Sequence, residues 1–188
     1  TKLSKSDLLL SMVTSKWDGV NAREEIFGFV DALNTQLTRS NSFDKDFVMK
    51  SCLVLSNLPV VYKVQNFSND NLDLIRRNWR EIKSAISRGV DLINSFGIDR
   101  DKLTSVNAVI PVAYYLFRHP GVTLRGTSAF EVRNALTLRS WIVMALLRGV
   151  FGRASDQLLT SIRAAMQGQV GEFDFPYDAI SEVIVSTG

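Results

Sequence analysis

From Asn71 onward an apolar side chain recurs every three or four residues: Leu72, Ile75, Trp79, Ile82, Ile86, Val90, Ile93 and Phe96. Only an α-helix gathers positions at that spacing on one face. The pattern predicts one long amphipathic helix, closed by Gly97, since glycine is favoured just past a helix end. The opposite face carries Arg76, Arg77, Arg80 and Lys83 with Asp73 and Glu81 between them, which reads as a solvated surface of pairs three and four residues apart. Such a stripe has to be covered, and the rest of the chain offers mostly more helices to cover it.

Their start signals are explicit. Ser4 precedes Asp7, Asn21 precedes Glu24 and Ser128 precedes Glu131 by three residues, the pattern of an N-terminal cap followed by an acid in the first turn. A first helix is expected over about Lys5 to Thr14. A second runs from about Ala22 to Leu37, with Ile26, Phe27, Val30, Leu33 and Leu37 inward. A third begins near Asp44, carries Phe47, Val48, Cys52, Leu53 and Leu55, and stops at Pro59. The β-branched run Pro59 to Val64 is an extended linker or a single strand. Pro111 fits the first turn of a buried helix over Val112 to Phe117 that ends at His119-Pro120-Gly121. A further helix spans Ala129 to Val150, with Phe130, Leu136, Trp141, Ile142, Ala145 and Leu146 inward. Ser155-Asp156 caps the next, through Met166 to Gly168, and a short one follows Pro176. The expected fold is therefore all-α: an irregular bundle of about eight helices around one long central helix, with at most one short strand, forming a single helical domain over residues 1–188.

Composition narrows the chemistry. Of 188 residues 46% are apolar, with one histidine, His119, and one cysteine, Cys52. These counts exclude disulfides, zinc ribbons and sites built from several histidines. Cys52 lies among apolar neighbours, as an inert buried thiol would, and His119, followed by proline, reads as a helix-end or surface residue. No glycine-rich phosphate loop ending in Lys-Ser/Thr occurs, nor a G-x-S-x-G elbow. Glu24-Glu25 and Asp44/Asp46 read as acids of helix N-terminal turns. The expectation is a non-enzyme with no metal and no cofactor. With no long apolar run and no signal-peptide core near the first residue, a cytoplasmic protein without a membrane partner is expected.

Charge is unevenly placed. The net charge is +3, yet residues 125–167 hold six arginines and no lysine against Glu131 and Asp156, and residues 168–188 hold four acids and no base. Guanidinium suits bidentate contacts with phosphate or carboxylate better than an ammonium does. Arg133, Arg139, Arg148, Arg153 and Arg163 are accordingly the candidate nucleic-acid contacts, against the alternative that they cap helix ends or pair with Glu131, Asp156 and the acidic tail. At 100° per residue Arg133 and Arg148 fall within about 60° of each other and Arg139 points elsewhere.

Several stretches, in order, resemble one family. They are Leu3 to Ser11 (LSKSDLLLS), Ala22 to Ile26 (AREEI), Phe43 to Lys50 (FDKDFVMK), Asn78 to Lys83 (NWREIK), Leu103 to Tyr115 (LTSVNAVIPVAYY), and Ser140-Trp141-Ile142 through Gly149 to Gly152 (GVFG), with Ser155 to Leu159 (SDQLL). The set is similar to the helical region of GmrSD-type modification-dependent restriction and phage-defence proteins, in which a ParB/sulfiredoxin-like module precedes such a region. The Asp-Gly-Gln-Gln-Arg loop of that module and the downstream His-Asn-His nuclease part are both lacking here. The resemblance implies a fragment of a larger chain: a non-catalytic helical domain that scaffolds the upstream ParB-like module, its first partner, and can also contact DNA or form homo-oligomers. Leu8, Leu9 and Met12 on the first helix are then the candidate interdomain contacts. The alternative is a pure protein–protein or interdomain module without nucleic-acid contact.

Overall fold

The computed structural model describes residues 21–35, 42–61, 63–152, 155–168 and 173–187, together with Ser11 and Thr14. Among these residues the chain forms eight α-helices and two short 3-10 turns, and no strand. The helices are α1 (Ala22–Thr35), α2 (Lys45–Leu55), α3 (Asn69–Arg77), α4 (Trp79–Ser95), α5 (Val109–Arg118), α6 (Ala129–Leu147), α7 (Ser155–Gly168) and α8 (Tyr177–Thr187). The all-α irregular bundle is as expected. Of the expected first helix only Ser11 and Thr14 are described; Ser4, Leu8, Leu9 and Met12 lie outside the described residues.

Caps begin the helices where the sequence places them. The side chain of Asn21 accepts from the Arg23 and Glu24 amides, Asp44 from Phe47 at 2.8 Å, and Ser128 from Glu131 at 3.2 Å. Each satisfies a donor that has no partner inside its own helix. Among the described residues from Pro59 to Val64 there is no strand; Lys63, extended at φ −122° and ψ 145°, leads into a 3-10 turn at Val64–Phe67.

Three local expectations are corrected. The third helix stops four residues before Pro59, because Asn57 adopts a left-handed conformation at φ 58°. The amide of Leu58 then reaches back to the Leu53 carbonyl and that of Asn57 to Val54, the double hydrogen bond of a Schellman motif. The stripe from Leu72 to Ile93 is buried throughout, but it is carried by two helices. Asn78, at φ −96° and ψ 5°, separates α3 from α4 while the Ile82 amide still bonds to its carbonyl at 2.9 Å. On α1 the inward aromatic is Phe29, and Phe27 lies partly buried under the Arg23 guanidinium.

The core is centred on α5, not on the longest helix. Every residue from Val109 to Leu116 is buried, because α5 packs against α2, α4 and α7 at once. The α4–α5 contact is the closest: a methyl group on Gly89 would meet the Ala113 backbone nitrogen at 3.3 Å. Glycine at this point lets the two helix backbones approach. By contrast α6, the longest helix, is peripheral and packs against α8 and the turn at Val106–Ala108. All the buried apolar side chains join one contiguous cluster.

Candidate functional site

The peripheral helix is where exposure and burial disagree with simple amphipathicity. One face of α6 is wholly internal: Asn134, Leu138, Trp141, Ile142 and Ala145 are buried. Burial is fixed at one point by Asn134, whose carboxamide donates to the Asp174 carboxylate at 2.7 Å and accepts from the Phe175 amide at 2.7 Å. The segment before α8 is thereby clamped onto α6, and Phe175 is held edge-on to Trp141. Arg133 completes the clamp with an ion pair to Asp174 at 3.1 Å. These bonds hold the Asp174 carboxyl below its ordinary pKa, the Asn134 hydrogen bond contributing most.

The opposite face is apolar too, and uncovered. Leu147 is 84% exposed, Leu136 57%, Val132 46% and Val143 39%. Their spacings of four, seven and four residues put them within about 60° of one another at 100° per residue, directly opposite the buried set. Leu136, expected inward, therefore faces out, and Leu138 takes the internal position. A helix apolar on both faces is ordinarily covered on both. Arg139 lies beside this stripe and Arg148 follows its last residue, both lining one shallow groove with Leu136, Val143 and Leu147. Arg139 and Arg148 are exposed and have no hydrogen-bond or ion-pair partner among the described residues. The helix has one acid, Glu131, which lies round towards the buried side and accepts from the Thr123 hydroxyl.

The candidate arginines thus separate. Arg139 and Arg148 are free cations beside the exposed stripe, Arg133 is engaged by Asp174, and Arg153 lies outside the described residues. Arg163 is turned inward, donating to the Leu58 carbonyl at 2.6 Å and lying 3.5 Å from those of Leu53 and Val54. Burial lowers its pKa, and the carbonyls at the end of α2 hold its guanidinium. The four described arginines do not form a continuous basic surface.

Arg163 has two counterparts that sequence reasoning missed. Arg88 on α4 donates to the Leu116 and Val122 carbonyls at the exit of α5, and Arg118 on α5 donates to the Met166 carbonyl near the end of α7. Each guanidinium closes the C-terminal end of the next helix in the series α4, α5, α7, α2, where a cation also complements the helix dipole.

The single cysteine and the single histidine are placed differently, Cys52 inside the core and His119 half-buried at a helix end. Cys52 is buried and burial pushes its thiol up to about 12. His119 caps α5, and its ring lies 5.0 Å from that of Tyr115 and 5.3 Å from that of Phe173. Burial, and then the Arg118 charge, lower its pKa. Glu25 is not merely solvated: it accepts from Lys83 at 2.9 Å and from the Trp79 indole at 3.1 Å, tying α1 to α4, and its pKa falls. Among the described residues no three His, Cys, Asp or Glu side chains gather as metal ligands would, and no helix is long and apolar enough to cross a membrane.

Compared with known proteins, the chain matches no family model and no curated protein.

Proposed function

We propose that this chain is a non-catalytic helical domain that docks another protein module on the outward face of α6. The setting we propose is the one its sequence resembles, a DNA-targeting restriction or phage-defence protein whose ParB-like module such a domain scaffolds. The observation that carries the docking role is the stripe Val132, Leu136, Val143 and Leu147, exposed on a helix whose other face is fully buried. Contiguous apolar surface on an otherwise well-packed protein marks a place where another surface fits. The packing supports the role: the Asn134 clamp and the Trp141–Phe175 contact fix the inner face of α6.

The test is calorimetric titration of the chain with a ParB-like module of the resembled family, alongside the variant Leu136→Asp/Leu147→Asp. Binding that the variant loses while keeping its thermal stability supports the proposal, and no binding by the parent chain overturns the ParB-like setting. DNA contact is a second reading, favoured by the outward, unpartnered Arg139 and Arg148. Duplex affinity that falls steeply with salt, and that Arg139→Ala/Arg148→Ala weakens while Leu136→Asp does not, would carry that reading instead.

A further inference from the structure

Resting on the docking role of α6, we infer that its outward face takes an acidic amphipathic helix from another polypeptide, with an apolar stripe flanked by Asp or Glu. Shape and charge both lead there. The exposed stripe is one residue wide, runs the length of a straight helical surface, and has the four- and seven-residue spacing with which one helix receives another. The charged side chains that line the groove with Leu136, Val143 and Leu147 are Arg139 and Arg148, both basic.

A second copy of the chain fits the apolar part and fails on the charges. Val132 and Leu147, and likewise Leu136 and Val143, are equidistant from the point between Arg139 and Ser140. Two α6 helices laid antiparallel would match the apolar residues in register. That symmetry also sets Arg139 beside Arg139 of the other copy across the two-fold axis, while Glu131 and the Asp174 paired with Arg133 lie towards the far end of the helix. A helix with acids opposite Arg139 and Arg148 keeps the apolar match and turns both into ion pairs. Nucleic acid would use the arginines and leave Leu136 and Leu147 against a charged backbone.

The experiment uses the whole chain and synthetic peptides of about three heptads, each with leucine along the seam and either glutamate or lysine at the flanking positions. Fluorescence anisotropy reads binding of each labelled peptide. The glutamate peptide is expected to bind at least about tenfold more tightly than the lysine peptide, Arg139→Glu/Arg148→Glu to reverse the preference, and Leu136→Asp to remove binding of both. Thermal unfolding confirms that the variants fold. Equal binding of the two peptides, still lost in Leu136→Asp, overturns the acidic partner and leaves the docking role standing. No binding of either peptide overturns both. Concentration-dependent dimers in sedimentation that Leu136→Asp abolishes give the face to a second copy and overturn the inference.

Discussion

Gly89 and Ala113 mark the point where α4 and α5 come closest, with room for hydrogen on Gly89 and little more: a Cβ there would lie 3.3 Å from the Ala113 nitrogen and 3.5 Å from its methyl group. Because Ala113 belongs to a backbone segment buried on every side, the helices can separate only by disturbing α2 and α7 as well.

A branched side chain at this site should therefore be costly. Gly89→Val is expected to destabilise by about 2 kcal/mol or more through overpacking. Gly28, inside α1 with nothing within 4 Å of an added Cβ, should respond oppositely. Gly28→Ala is expected to stabilise by about 0.5–1 kcal/mol, since alanine favours the helix. Urea unfolding of the two variants measures both, and a neutral Gly89→Val would show that α4 and α5 are looser than this geometry.

Arg163 and the outward arginines should behave as different kinds of residue. Arg163→Met leaves the carbonyl of Leu58 without its charged donor and is expected to cost about 1.5–3 kcal/mol, the range for hydrogen bonds to charged groups. Arg163→Lys should recover little, lacking the fork that reaches several carbonyls. Arg139→Ala and Arg148→Ala should stay within about 0.5 kcal/mol of the parent. Thermal denaturation of the four variants is the measurement.

Asn134 should prove as important as a large apolar core residue. Asn134→Leu removes the acceptor of the Phe175 amide and the donor to Asp174, and is expected to destabilise by about 2–3 kcal/mol. Hydrogen exchange should rise first at Phe175 and along α8. Unchanged protection there would mean that the clamp is ornamental.

His119 gives the fold its first acid sensitivity. Its folded pKa lies below its ordinary value near 6.5, so below that pH the unfolded chain binds the proton first. The stability due to the neutral ring is complete above about pH 6.5 and is lost as pH falls through the folded pKa. Glu25 and Asp174, also lowered, act below the ordinary carboxylate range in the same direction. A melting-temperature profile should begin to fall below about pH 6.5, and His119→Gln should flatten that first decline while leaving the one at lower pH.

Cys52 should ignore aromatic disulfide reagents at neutral pH in the folded chain and react stoichiometrically in denaturant, as its buried thiol held near pKa 12 requires. Fast labelling of the native protein would contradict its burial.

What the sequence made legible was local. Asn21, Asp44 and Ser128 announce helix starts because a cap needs only the next three residues, and the stripe from Leu72 to Ile93 announces its buried face because it is apolar on one side only. Asn78 interrupts that stripe without changing its period, so the break was invisible. Leu136 was misplaced for a related reason: α6 is apolar on both faces, and spacing alone cannot say which face the bundle covers. The same second stripe was nonetheless present at positions 132, 136, 143 and 147. The role of Arg163 was hidden by distance, its partner Leu58 lying 105 residues away in the chain, and Asn134 looked like one polar residue among many.

The three arginine caps carry a consequence for folding itself. Arg88 reaches 34 residues along the chain to Val122, Arg118 reaches 48 to Met166 and Arg163 reaches 105 to Leu58. The end of α2 is thus completed only after α7 has docked, α7 is completed by α5, and α5 by α4. The early helix α2 waits for the late helix α7, which favours a single all-or-none transition over stepwise assembly. Far-ultraviolet circular dichroism, reporting all the helices, and tryptophan fluorescence, to which the buried Trp79 and Trp141 contribute, should then trace the same unfolding curve.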